Sequence, residues 1–180
     1  TKRLNEGFEM ANGKYIARMD ADDISLPFRF QKQVNFLETN AHVCLVGSWF
    51  EIINSDTIVK TPTDPEDIKI QLLFKNPIGH STVMIKNNFL KKNHLHYDES
   101  LKTSQDHDLW HRMSKFGQLF NIPEVLVLHR LHDQQISVTN RKLQKLYSRK
   151  IQKNKIEDYA GNIDNSTFDL HLKLFLHEQI

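Results

Sequence analysis

Tyr15-Ile16-Ala17-Arg18-Met19-Asp20-Ala21-Asp22-Asp23 decides how this chain is read. The first five residues are a run of strand length, and it ends in a turn carrying three carboxylates. In open α/β sheets ligands bind beyond the carboxyl ends of strands, so this turn is a candidate site. Neighbouring carboxylates repel one another, and hard divalent ions such as Mg2+ and Mn2+ are the partners that relieve the repulsion. A solvated acidic turn is the simpler account of an isolated Asp-x-Asp, but the preceding strand favours a ligand. An EF-hand is excluded: with Asp20 first in the loop, Ser25 stands where Gly is needed and Gln31 where Glu should close it. A phosphoaspartate hydrolase, with Asp20 as nucleophile and Asp22 as acid, stays open on these residues alone.

Outward from this stretch, helix and strand patterns alternate. Leu4, Phe8 and Ala11 recur at helical spacing before Asn12-Gly13, which predicts an opening helix. Downstream, Pro27 suits a first helical turn with Ser25 near the cap, and Phe30, Val34 and Leu37 form its apolar stripe. Residues 42–54 read as extended and broken at Gly47-Ser48. Asp64 caps a helix with Pro65 in its first turn, followed by Ile68, Ile70, Leu72 and Phe74. Residues 81–85 read as a strand, and Ser104 caps a helix whose Leu109, Trp110, Met113 and Phe116 share a face up to Gly117. Two strands, 118–121 and 125–131, flank Pro123. Residues 138–180 read as helical, with a capping box at 166–169.

The 180 residues suffice for one packed domain, and 39% apolar with 26% charged residues is ordinary globular usage. The 24 basic and 22 acidic side chains leave a formal charge of +2, which gives no field for nucleic acid. A lone Cys44 in an apolar run excludes a disulfide framework, fits a reducing compartment and belongs in the core. No run approaches the roughly 18 apolar residues of a membrane span, so the chain reads as cytoplasmic.

Two further clusters carry chemistry. In Gln105-Asp106-His107-Asp108, Asp106 precedes Leu109, Trp110 and Met113 on one helical face, which aims a carboxylate over the core. Taken alone, an acidic first turn is better explained by helix-dipole stabilisation, worth about 0.3–1 kcal/mol. Asp108 faces Arg112 at i,i+4 as a surface pair. His107 and His111 echo a zinc-protease motif, but Asp108 replaces the required Glu and no third ligand follows, so exposed histidines are expected. In Leu128-His129-Arg130-Leu131-His132, alternation sets Arg130 and His132 on one side, where they suit phosphate and metal or are equally polar residues at a strand end.

In their order and spacing three segments together resemble the bacterial, inverting family 2 glycosyltransferases of the GT-A fold. They are 4–27, holding the Asp-x-Asp motif; 76–84, Asn-Pro-Ile-Gly-His-Ser-Thr-Val-Met; and 105–112 continuing to Arg130-x-His132 and Ile136-Ser137. The resemblance implies an α/β, Rossmann-like mixed sheet flanked by helices, with a transferase domain over 1–137 and a helical extension over 138–180. It implies that the first sheet strands and most of the nucleoside pocket precede Thr1, leaving a sheet edge open to self-association.

For function, the resemblance implies transfer of a sugar from a nucleotide-sugar donor to a glycan or lipid-linked acceptor in polysaccharide or lipopolysaccharide synthesis. It assigns Asp106 as general base, Asp20, Asp22 and His132 to a Mn2+ or Mg2+ ion, and Asp20, Asp23 and Arg130 to the donor. Gly47, His80 and Gln105 fall on the acceptor side; Gln105 stands where the family usually has Glu. The C-terminal helices are expected to pack on the core, join a partner or rest peripherally on the inner face of the cytoplasmic membrane. A non-catalytic nucleotide-sugar-binding module is the other reading that these segments allow.

Overall fold

The computed structural model describes residues 1–131 and 141–177, the side chains of 141–143 and 174–177 excepted. Among them run α1 (Lys2–Met10), β1 (Tyr15–Ala17), β2 (Ile24–Ser25), α2 (Arg29–Thr39), β3 (Val43–Ile52) and β4 (Ile58–Val59). Then come α3 (Pro65–Gln71), a 3-10 turn (His80–Thr82), β5 (Met84–Lys86), α4 (Asn87–Lys92), α5 (Gln105–Ser114) and β6 (Gln118–His129). The helices α6 (Arg141–Ala160) and α7 (Asn165–His177) follow.

The strands form a mixed sheet in the order β1-β5-β3-β6-β2, with β4 added to β3. Among the described strands only the β3–β6 pair is parallel. Strand alternation divides the core in two. Leu45, Ile85 and Leu119 pack on one face with Ile68, Leu72, Leu109, Trp110 and Met113 from α3, α5 and the residue closing α3. Val46, Met84 and Ile122 pack on the other with Leu37 of α2. The sandwich is the expected α/β architecture.

Several local expectations are corrected. β3 runs unbroken through Gly47-Ser48, because Gly47 pairs with Asn121 and Ser48 with Ile122 in the parallel ladder. β6 likewise runs through Pro123: the ladder passes from Ser48–Ile122 to Trp49–Val125, so Pro123 and Glu124 bulge out where a missing N–H costs no pairing. The expected strand over 81–85 is a 3-10 turn followed by β5. Asp64 caps α3 as expected, accepting from the Glu66 and Asp67 N–H groups. Ser104 does not cap α5: its backbone is left-handed, with φ of 60°, and its hydroxyl instead lies 3.1 Å from Ser148 Oγ on α6. At α7, Asp164 Oδ1 accepts from Thr167 N–H, doing the work expected of the 166–169 box.

The buried face of α2 departs furthest from the apolar pattern. Phe30, Ile70 and Phe116 are exposed, whereas Arg29 and Gln33 are fully buried. Arg29 donates to the carbonyls of Arg18 and Val83, and Gln33 to those of Val46 and Thr82. These carbonyls lie where β1 gives out and the 3-10 turn interrupts the ladder. Polar side chains at i and i+4 supply the donors that a neighbouring strand would otherwise provide.

Candidate active site

The acidic turn is held from both sides. Past the end of β1, Arg18 N–H still donates to Val83 O at 3.0 Å, which extends the pairing up to Asp20. The Arg18 guanidinium grips the Asp20 carboxylate at 2.5 and 2.9 Å. Ser81 Oγ donates to Asp20 Oδ2 at 3.1 Å and accepts from its N–H at 3.2 Å. The side chain of Asp20 remains 48% exposed. Asp23 does the opposite: its carboxylate is wholly buried, accepts from Arg130 N–H at 2.9 Å and lies 3.0 Å from His129 Nδ1. Arg130 Nε also donates to Asp22 O at 3.0 Å. Asp23 therefore ties the turn to the end of β6, with Asp22 and Arg130 at the junction.

Asp106 stands on the first turn of α5, half-buried, and Asn76 Nδ2 donates to its Oδ2 at 2.8 Å. Asn76 Oδ1 accepts from Ile78 N–H, so the amide cannot turn away without losing a second bond. Between the two acidic elements lies His80, whose Nε2 is 2.9 Å from the Tyr97 hydroxyl and whose ring meets Trp110 edge-on at 5.9 Å. Burial, helped by the positive charge of Arg18, pushes the His80 pKa down to about 3, so the ring is neutral at physiological pH. Burial raises the Tyr97 hydroxyl above its ordinary range, with the charges of both Asp106 and Asp20 adding to the shift. Ser81 on Asp20 and its chain neighbour His80 on Tyr97 thus stand next to the acidic turn, while Asp106 is held separately by Asn76.

Other candidate residues fall in different settings. Gly47 is buried in mid-sheet, and a Cβ there would meet Asn121 Oδ1 at 2.3 Å, a packing reason for glycine. Gln105 is half-buried beside Asp106, its Oε1 shielded from solvent and without a protein partner. His107 and His111, expected to be exposed, are buried: His107 Nε2 lies 3.0 Å from Leu72 O, and His111 Nε2 lies 3.0 Å from Asp158. Burial holds their pKa values down to about 3 and about 4, so they act as neutral packing groups. Asp108 pairs with Arg112 at 2.7 Å as expected. His132 lies outside the described residues.

Sequence reasoning missed Arg18, Asn76, Ser81 and Tyr97. Arg18 was open to detection, since a cation two residues before an acid in extended backbone shares its side. Tyr97 carried no local signal.

Among the described residues no group of three or more His, Cys, Asp or Glu side chains is arranged to hold a metal. The turn nonetheless suits Mg2+ or Mn2+ on a phosphorylated ligand, because such ions take one or two carboxylates and fill the remaining positions with phosphate and water. The half-exposed Asp20 fits that partial set, while Asp23, closed off beneath, does not.

A mixed sheet flanked by helices, with an acidic turn at a strand end, is a GT-A-like fold. The chain belongs to glycosyl transferase family 2, whose model matches residues 1–100. It is 35% identical over 172 residues to an uncharacterized glycosyltransferase of Haemophilus influenzae, covering 89% of this chain and 53% of that protein. It is 31% identical over 135 residues to the amylovoran biosynthesis glycosyltransferase AmsE of Erwinia amylovora, covering 70% and 48%. In three dimensions it matches the mannosyltransferase PcManGT of Pyrobaculum calidifontis, solved in complex with GDP-Man and Mn2+. The TM-score is 0.57 at 14% identity, over 97% of this chain and 48% of that one. The chain spans about half the length of the curated relatives it matches. No described helix is long and apolar enough to cross a membrane.

Proposed function

We propose that the chain forms the metal- and acceptor-side part of an inverting glycosyltransferase. The enzyme transfers a sugar from a nucleoside-diphosphate sugar to an acceptor hydroxyl in cell-surface polysaccharide synthesis. The observation that supports this reading is a half-exposed acidic turn, its Asp20 held by Arg18 and Ser81, in the same domain as a separate carboxylate, Asp106, oriented by Asn76. Family membership and the biosynthetic role named for AmsE support the reaction class and the product class.

In this reading Asn76 holds Oδ2 of Asp106, and Oδ1 takes the proton of the acceptor hydroxyl. The oxygen so released forms a bond to the anomeric carbon from the face opposite the diphosphate. The bond from that carbon to the diphosphate breaks, its electron pair leaves with the phosphate, and configuration inverts. Asp20 and Asp22, with His132, would hold the divalent ion, which when bound supplies positive charge to the leaving diphosphate. Arg130 adds a cation on the same side, and Asp23 fixes its backbone. His80, being neutral, adds no charge of its own to the acceptor side. Family membership sets aside a phosphohydrolase.

Calorimetry of the full-length protein with a panel of UDP- and GDP-sugars tests the proposal. One donor should bind with Mn2+, and Asp22→Asn or chelation should weaken it. Absence of binding by every donor with Mn2+ or Mg2+ would sink the reading.

A further inference from the structure

The first long helix of the tail reaches beneath the candidate base. Lys155 of α6 is 1% exposed, and its Nζ donates to Leu72 O at 2.9 Å and lies 3.4 Å from His107 O. Leu72 closes α3 and begins the turn that delivers Asn76, and His107 directly follows Asp106. His107 Nε2 shares the Leu72 carbonyl. One turn earlier on the same helix, buried Gln152 donates to Phe74 O, within the same turn. Asn76 and Asp106, the two partners of the 2.8 Å contact, thus stand on segments whose carbonyls are held from α6.

From this geometry we propose that Lys155 is a positioning residue, which fixes the Asn76–Asp106 contact through the carbonyls of Leu72 and His107. The inference rests on the proposed role of Asp106 for its catalytic meaning, but the contact itself does not. A lysine is a costly choice for mere packing. Burial pushes its pKa down to about 6, against the opposing charges of Asp108 and Asp106. An apolar side chain would fill the same space without that cost, as Ile151 does on the same helix. What lysine adds is a donor able to reach two carbonyls at once, that of Leu72 at the C-terminal end of α3 and that of His107 in the first turn of α5. The rest of α6 is secured separately, by Asp158 to His111 and Lys115, and by Ser148 to Ser104.

The test reads the Asn76 side-chain amide by NMR in the full-length protein. Lys155→Met keeps the volume and removes the donors. The Asn76 Nδ2 protons should move upfield and exchange about tenfold faster, the equivalent of one net hydrogen bond. Ile151→Ala, a comparable loss of α6 packing, should leave those signals in place. If Lys155→Met does not fold, Gln152→Met removes the second carbonyl contact and should move the same signals. Unmoved Asn76 signals in Lys155→Met or its substitute, or equal movement in Ile151→Ala, would overturn the inference. Unchanged sugar transfer in Asp106→Asn, with the Asn76 response intact, would instead defeat the base assignment alone.

Discussion

Gly47→Ala probes how the sheet centre supports the segment that carries Ile78 and Thr82. A Cβ at Gly47 would lie 2.3 Å from Asn121 Oδ1, 3.0 Å from Ile78 Cγ2 and 3.1 Å from Thr82 Oγ1. Asn121 cannot yield cheaply: it is fully buried, and its Nδ2 donates to Pro62 O at 2.8 Å and Pro77 O at 3.2 Å. Overpacking of this kind costs about 1–3 kcal/mol, and displacing Asn121 adds about 1 kcal/mol for each hydrogen bond lost. A total of about 3–5 kcal/mol is therefore expected. Urea denaturation of the single variants and of Gly47→Ala with Asn121→Ala reads it. The double variant should cost about 1–3 kcal/mol less than the two singles combined, since the clash needs both side chains. A Gly47→Ala protein within about 0.5 kcal/mol of wild type, or strict additivity, would refute the reasoning.

Lys155 gives stability a pH dependence of defined sign. Its folded pKa of about 6 lies below the ordinary 10.5, so the unfolded chain binds the extra proton between these values. Stability is therefore greatest above the ordinary value, declines as pH falls, and levels off below about 6. Between pH 7 and 9 wild type should gain about 2.7 kcal/mol over Lys155→Met, one proton across the window; parallel denaturation profiles for the two proteins would contradict this. Asp23→Asn removes the charge and one of the two oxygens that face Arg130 N–H and His129 Nδ1 in a buried site, and thermal or urea unfolding should register a loss of about 1–3 kcal/mol. A neutral Asp23→Asn would show that the junction of turn and β6 is not held by that carboxylate.

The sequence made the elements legible where local chemistry and burial agree. Asp64-Pro65 starts α3 because capping and the proline's missing N–H are both local effects. Trp110, Leu109 and Met113 fall on one buried face because period and burial coincide. Reading failed where polar groups answer to distant backbone. Arg29 and Gln33 are buried on α2 beside Leu37 because carbonyls of Arg18, Val46, Thr82 and Val83 require donors, a demand visible only in the assembled sheet. His107 and His111 are buried for the same kind of reason, each facing a partner outside its own helix. At the site, the Asp20 turn and Asp106 were legible as chemistry. What holds and flanks the turn, Ser81 and the His80–Tyr97 pair, depends on contacts across 61 and 17 residues that no local pattern encodes.

The central claim is that Asp106 is the base and the Asp20–Asp22 turn serves the donor. It is tested most directly by comparing Asp106→Asn with Asp22→Asn in the full-length enzyme, measuring transfer and Mn2+-dependent donor binding on the same preparations. Asp106→Asn should lower transfer by at least about a hundredfold and leave donor binding intact, because only the proton-accepting oxygen is lost. Asp22→Asn should weaken donor binding, because a ligand charge is removed. Near-normal transfer by Asp106→Asn, or a loss of donor binding as severe as that of Asp22→Asn, would contradict the account and return Asp106 to a helix-dipole role.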